Sequence, residues 1–387
     1  MTDAFDDGAL VAPVRAPARD VNVIKGSAAL DRIARESALG ESTEQRFPEH
    51  RVDAELQRQY QLAGELIRIP TEKDDTFRLD ADVGRFLVKI APATETAQIV
   101  NLQSAVMLHL EKSRPPIRAQ RLIRGVHGQV ESSVIDPGGR TRIMRVMSYL
   151  DGALLSSVTP STTQFQQVGA TLARLDTGLI NFRHPGESRS LIWDLKNFMH
   201  MRPLLELVND RDDVTMASWI FDQFDALVAP RLGTLATQMI HGDFSPFNVV
   251  VDPTADEFVV GVIDFGDVVR SPVVFELAVA VANHIGIDDR RPWDSALEIV
   301  RGYRAVRPMS ERDVALLAIA GPARLLLRAL IFGWRAAVDP RSRDYGLSHS
   351  ARDWSRLRSA LSMATPTVQE LLSTTAASPT QTGAHRR

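Results

Sequence analysis

Residues 241–248 read HGDFSPFN and residues 262–267 read VIDFGD; between them NVVV (248–251) and FVVGVID (258–264) flank a Pro/Asp turn. Two short apolar runs around such a turn predict a β-hairpin. A hairpin returns the end of its second strand to the start of its first. Asp264, sixteen residues after Asn248, is therefore expected beside it, and Asp243 lies only five residues before Asn248. A carboxylate, a side-chain amide and a second carboxylate thus converge through local structure alone. Gly242 permits backbone geometry that a Cβ would obstruct.

Asp or Asn before a strand is common in turns, so none of the three means much singly. Their joint spacing matches the parts list of phosphoryl transfer: a carboxylate that orients or deprotonates the acceptor hydroxyl, hard oxygen ligands for magnesium, and cations on the phosphates. Asp243 is placed as the base, and Asn248 and Asp264 as the Mg2+ ligands. His241 has two readings, proton chemistry or a scaffold contact to backbone near Asp264.

The rest of the composition narrows the field. The chain has 387 residues, enough for two or three compact units. Hydrophobic residues make up 44% and charged residues 24%, the balance of a globular protein without a large disordered fraction. No uninterrupted apolar run approaches the roughly 18 residues of a membrane helix. The first twenty residues, acidic and then Pro/Ala-rich, lack the pattern of a secretory signal. A net charge of −3 offers no global field for nucleic acid. The absence of cysteine excludes disulfides, thiolate zinc sites and Cys nucleophiles. These features lead to the expectation of a cytoplasmic protein acting on small molecules, without nucleic-acid or membrane partners; they leave the oligomeric state open.

Along the chain, residues 1–45 read as an extension, loose at least to 22. Residues 46–149 are strand-rich with one helix: strands at 75–80 and 85–90 around the turn 82–84, a helical stripe over 94–112 (Ile99, Leu102, Val106, Leu110) stopped by Pro115-Pro116, and a strand pair 130–135 and 141–149 around Asp136-Pro-Gly-Gly. Residues 150–370 are helical, at 163–175, 193–208, 215–227, 273–284, 293–303 and 311–337, apart from the hairpin at 238–268. Residues 371–387 read as a tail. The fold class expected is α+β in two lobes, a small antiparallel β lobe and a larger helical one.

HGDFSPFN followed by VIDFGD resembles the aminoglycoside phosphotransferase and choline kinase family. Within it, VIDFGDVVRSPVVFELAVAVA, LIWDLKN (191–197), GELIRIPTEKDDTF (64–77) and FLVKI resemble the hydroxylysine kinase branch. The resemblance spans roughly residues 55–360. It implies a protein-kinase-like fold with Asp243 as base and Asn248 and Asp264 as magnesium ligands. It also makes Lys89, in FLVKI, the lysine that holds the α/β-phosphates. Kinase-like folds pair this lysine with an acid on the following helix; here that position is Asn101, with Glu95 a turn or more earlier, which leaves room for an inactive nucleotide-binding relative. The turn 72–76 carries no Gly-rich signature. Lys73 and Thr76 are its candidate nucleotide contacts, although Lys73 also fits a solvated turn. Residues 145–150 (RVMSYL) look like the hinge that meets the base, with Met147 and Tyr149 as contacts or ordinary core. On the acceptor side, Asp267 and Glu276 are candidates for an ammonium group, Asp267 equally for a cap, and Trp193 for stacking or for core. The resemblance favours 5-hydroxylysine as acceptor and GTP as donor, with homoserine, choline, ethanolamine or an aminoglycoside, and ATP, as alternatives.

Overall fold

The computed structural model describes residues 30, 32–33, 46–71, 73–339 and 343–376. The expected extension lies almost wholly outside the described residues, as do Glu72 and the end of the expected tail. Among the exceptions, Leu30 and Ile33 are buried in the main core.

The first helix, α1 (Glu49–Tyr60), falls where strand signals had been expected. It places Val52, Leu56 and Tyr60 on one buried stripe at four-residue spacing. That stripe covers a five-stranded antiparallel sheet of order β1-β2-β3-β5-β4. Its strands are β1 (Gly64–Ile69), β2 (Asp75–Ala81), β3 (Gly84–Ile90), β4 (Ser132–Ile135) and β5 (Thr141–Ser148). Side chains alternate faces along a strand. Val88 and Ile90 therefore pack under α1, while Leu87 and Lys89 look the other way. On that second face Thr76, Lys89 and Arg145 lie in one cross-strand row. Helix α2 (Ala97–Glu111), capped by the Thr96 hydroxyl, follows β3 as the stripe over 94–112 implied.

The connection after β5 leads into β6 (Ala153–Leu154), which pairs with β8 (Val249–Val251); β8 pairs with β9 (Val259–Val262). The expected hairpin is thus present, extended by one strand. A separate pair, β7 (Thr237–Ile240) with β10 (Val269–Pro272), clamps both flanks of the hairpin and carried no clear sequence signal. Helices surround these strands: α3 (Thr162–Gly178), α4 (Arg211–Leu227), α5 (Val273–Ala282), α6 (Asp294–Val306), α7 (Glu311–Val338), α8 (Arg343–Ala360) and α9 (Thr365–Ser373). The helix expected at 193–208 is instead a 3-10 segment, Leu195–Leu207, with Pro203 inside it; proline denies an α-helix both a hydrogen bond and the space for its ring. The chain also stays ordered past 371. Arg304 donates to the carbonyl of Leu372 and to the Thr375 hydroxyl, and Thr375 is fully buried.

α7 is the one described helix long and apolar enough to cross a membrane, but 89% of its most apolar window is buried inside the fold. It is a core helix, packed against α5 and α8.

Just beyond α5, His284 is buried with its ring edge-on to Phe165 at 5.3 Å. Burial, helped by the nearby Arg356 cation, holds its imidazole down to about 3. An unfolded histidine titrates near 6.5. Its contribution to stability is therefore complete above that pH and is lost as the pH falls from about 6.5 toward 3. The melting temperature should drop across this interval, and His284→Gln should make the drop shallower; an unchanged slope would remove His284 from the account.

Candidate active site

The hairpin brings Asp243, Asn248 and Asp264 together. After β7 the chain turns through Gly242 at φ +80°, and an added Cβ there would lie 2.3 Å from the Asp267 carbonyl oxygen. Only glycine fits this contact between the two loops. The Asn248 amide nitrogen donates to the Asp243 carboxylate (2.7 Å) and to its carbonyl (2.9 Å). That leaves the Asn248 amide oxygen as the group available to a cation. The Ile263 N–H donates to the Asn248 carbonyl at 2.9 Å, which fixes Asp264 one residue on.

Asp264 itself is left-handed, at φ 61°, one of two described non-glycine residues with positive φ. Such a conformation costs on the order of 1–3 kcal/mol and persists where the surroundings impose it. Here the Gly266 N–H donates to the Asp264 carboxylate (3.2 Å), and the Lys89 ammonium meets it at 3.0 Å. Lys89 also faces Asp74 at 3.7 Å. Burial alone would lower the lysine, but the Asp264 and Asp74 charges outweigh it and hold the ammonium above its ordinary value. Likewise burial would raise Asp264, but Lys89 overrides it and keeps the carboxyl below its usual range.

These distances answer the question of the lysine's partner. Asn101 is turned away, donating to Glu131 (3.2 Å) and bonded through its oxygen to His184 (3.1 Å). The acids that neutralise Lys89 are Asp264 and Asp74. Asp74 was hidden in a charged turn that reads as solvated, because nothing local marks which of its acids folds inward.

The other candidates lie around this group. His241 is fully buried between two backbone groups: its Nδ1 accepts from the Asp243 N–H (3.3 Å), so Nε2 carries the proton and donates to the Ile263 carbonyl (3.0 Å). Burial lowers its pKa, against the opposing pull of the Ile263 hydrogen bond. This is the scaffold arrangement, with no ring nitrogen left for proton transfer. Glu276 does not face the acceptor side. It is fully buried beneath the loop, where its carboxyl accepts from the Gly242 N–H at 2.9 Å. Burial, and then the neighbouring Asp176 charge, raises it well above the ordinary glutamate value. Asp176 is itself held by the Tyr303 hydroxyl at 2.6 Å. A buried acidic layer therefore supports the catalytic loop from below.

Thr76 is buried opposite Lys89, its hydroxyl paired with that of Thr71 at 3.1 Å. Lys73 is partly buried just before Asp74. Met147 is core, packed beside Leu87 and Leu122. Tyr149 lies under the Arg85 and Arg78 guanidinium groups, 5.5 and 6.0 Å from its ring centroid. Asp267 ends the short turn Phe265–Asp267, whose cap is Asp264. Its own carboxylate makes no hydrogen bond or ion pair among the described residues, so it caps nothing there. Trp193 precedes the 3-10 segment, half-buried beside Phe332 (6.0 Å) and beneath Arg324 (5.6 Å). Gln103 and Arg189, which carried no local signal, both donate to the Gly266 carbonyl (3.4 and 2.8 Å) and so pin the Asp264 turn.

Asp243 is raised to about 6, first by burial and then by the Asp267 carboxylate, with Arg324 pulling the other way. A carboxylate held near neutrality beside an amide oxygen, a second carboxylate and a buried lysine has the composition that phosphoryl transfer requires. The sequence of residues 65–311 matches the model of the phosphotransferase enzyme family, well over half of the chain. The chain belongs to that family. It is a small-molecule phosphotransferase with an alcohol group as acceptor. Among curated relatives, hydroxylysine kinase of Danio rerio is 24% identical over 319 residues, covering 77% of this chain and 89% of the fish protein. Hydroxylysine kinase of Mus musculus is 22% identical over 332 residues, covering 80% and 88%. Among solved structures, a microcompartment-associated aminopropanol kinase superposes with TM-score 0.62 at 16% identity, covering 80% of this chain and 97% of that one. An amicoumacin kinase in complex with AMP-PNP, Ca2+ and its antibiotic gives 0.61 at 15%, covering 81% and 93%. These neighbours establish the kinase-like α+β fold.

The position of Glu276 makes a direct prediction. Glu276→Gln keeps an acceptor for the Gly242 N–H and should leave the acceptor KM within about twofold of wild type. Glu276→Leu strands that buried N–H and should cost about 1–3 kcal/mol in chemical denaturation. A large rise in acceptor KM for Glu276→Gln would return Glu276 to the substrate side.

Proposed function

We propose that this phosphotransferase moves the γ-phosphoryl group of GTP or ATP to the hydroxyl of an amine-bearing acceptor, with 5-hydroxy-L-lysine the leading candidate. The observation that carries the mechanism is the convergence of Asp243, Asn248, Asp264 and Lys89 at hydrogen-bond and ion-pair distances. The similarity to two hydroxylysine kinases supports the acceptor.

Asp243 serves as the base. The acceptor oxygen attacks the γ-phosphorus, its proton passes to the Asp243 carboxylate, and the bond to the bridging oxygen breaks to release the nucleoside diphosphate. Asn248 contributes orientation as well, since its amide nitrogen fixes the carboxylate it touches. Lys89 meets the phosphates from the sheet side. The remaining oxygens, the Asn248 amide oxygen and the Asp264 carboxylate, form a hard donor set that fits magnesium. Magnesium takes one or two protein groups and completes its shell with phosphate and water. Bound there, Mg2+ would neutralise charge on the phosphates.

The test is turnover against a panel of hydroxylated amines (5-hydroxy-L-lysine, homoserine, choline, ethanolamine and an aminoglycoside) with each nucleotide. Wild type should consume nucleotide with 5-hydroxy-L-lysine, and Asp243→Ala should lower kcat by roughly 10²–10⁴-fold while nucleotide still raises the melting temperature. Equal turnover by Asp243→Ala would refute the assignment of the base, and preference for another member of the panel would refute the acceptor.

A further inference from the structure

In α7 the sequence GPARLLLRALIF carries two arginines four residues apart in an otherwise apolar run, which places them one above the other on one helix face. Their circumstances differ. Arg328 is fully engaged: it grips both oxygens of Asp353 (2.7 and 2.6 Å) and donates to the Asn283 amide oxygen (2.6 Å). Arg324 is only 5% exposed, yet its enclosed Nε has no acceptor, and the side chain forms no hydrogen bond or ion pair among the described residues. What it does have is a platform, the Trp193 ring, 5.6 Å from its central carbon to the ring centroid. Trp193 in turn shares the wall of a small cavity with Gly242 of the catalytic loop. The charges nearest in effect to Arg324 include Asp243 and Asp267, the two acids of the acceptor side.

A buried guanidinium without a carboxylate is costly to maintain. Arg328 shows that this helix face can supply a paired arginine, so the unpaired state of Arg324 calls for a partner from outside the described residues. The planar fork matches a carboxylate with two parallel hydrogen bonds, and stacking on an indole holds that plane in place. The open Asp267 carboxylate offers the opposite charge for an ammonium group. We propose that Arg324, held flat on Trp193, binds a carboxylate of the acceptor, so that this kinase selects hydroxylated amino acids over amino alcohols that lack the acid. The inference rests on the kinase reading above and adds the charge pattern of the acceptor and the residue that reads it. The alternative anion, the transferred phosphoryl group itself, is common to every acceptor.

Two matched pairs separate these cases: 5-hydroxy-L-lysine against 1,5-diaminopentan-2-ol, and L-homoserine against 3-aminopropan-1-ol, each amine being the acid's decarboxylated counterpart. Wild type should favour the acid of at least one pair by about 10- to 100-fold in kcat/KM, mostly through KM, the range expected of a charge-assisted pair. Arg324→Met should erase that preference by raising the acid's KM while the amine's KM stays within about threefold; any change in kcat from losing the cation that acts on Asp243 is shared by acid and amine. Equal wild-type use of acid and amine would overturn the proposal, and needs no variant to fold. So would an equal rise in KM for both by Arg324→Met, which would assign the arginine to a group common to every acceptor. Turnover of choline or ethanolamine but of neither acid would sink this inference and leave the kinase standing; no turnover of any acceptor would sink both.

Discussion

The contact between Lys89 and Asp264, 3.0 Å long, joins the two halves of the candidate active site. Lys89 comes from the inner face of the five-stranded sheet, and Asp264 from the end of the catalytic hairpin. The Lys89 ammonium is buried, and a buried charge is tolerable only with a partner. The surrounding structure serves that requirement. β2 and the turn before it bring Asp74 to the lysine, while Gln103 and Arg189 hold the Gly266 carbonyl so that Asp264 can stay in its left-handed conformation. On the proposed reading the same pair yields when a nucleotide enters, since phosphates attract a lysine and a cation attracts an aspartate. Mutual neutralisation keeps both groups ionised and positioned until then.

A second constraint lies beneath the loop. Gly242 is pressed against the Asp267 carbonyl and tied by its N–H to Glu276, and His241 bridges the Asp243 amide and the Ile263 carbonyl. All four contacts act on backbone. The loop that carries Asp243 is therefore fixed from below by buried polar groups, while its carboxylate is held by the Asn248 amide. This explains why His241 and Glu276, within the motif or just after it, are engaged with backbone groups.

The legible part of the site was its local part. Asp243, Asn248 and Asp264 sit within one hairpin, so their meeting follows from strand periodicity and a turn, and the β2–β3 and β4–β5 hairpins were readable for the same reason. The acidic partners of Lys89 were not readable, because Asp74 reaches it through strand register and Asp264 across more than 170 residues of chain. Trp193 looked helical from its apolar neighbours, but Pro203 breaks that segment into a 3-10 path. α1 was missed because its apolar stripe is thin and Gln- and Arg-rich between anchors. Arg324 did leave a trace, a lone cation pair in an apolar helix; what the sequence could not show is that Asp353 satisfies one arginine and nothing among the described residues satisfies the other.

The central claim is that Asp264 and Asn248 complete a magnesium–nucleotide site whose lysine is Lys89. Isothermal titration of the donor nucleotide with and without Mg2+, on wild type and on Asp264→Ala judged folded by its melting transition, tests it most directly. The account predicts that Mg2+ tightens wild-type binding by at least about tenfold, a gain of roughly 1.4 kcal/mol, and leaves the variant's affinity unchanged. A variant that binds nucleotide just as tightly as wild type, with the same dependence on Mg2+, would contradict it.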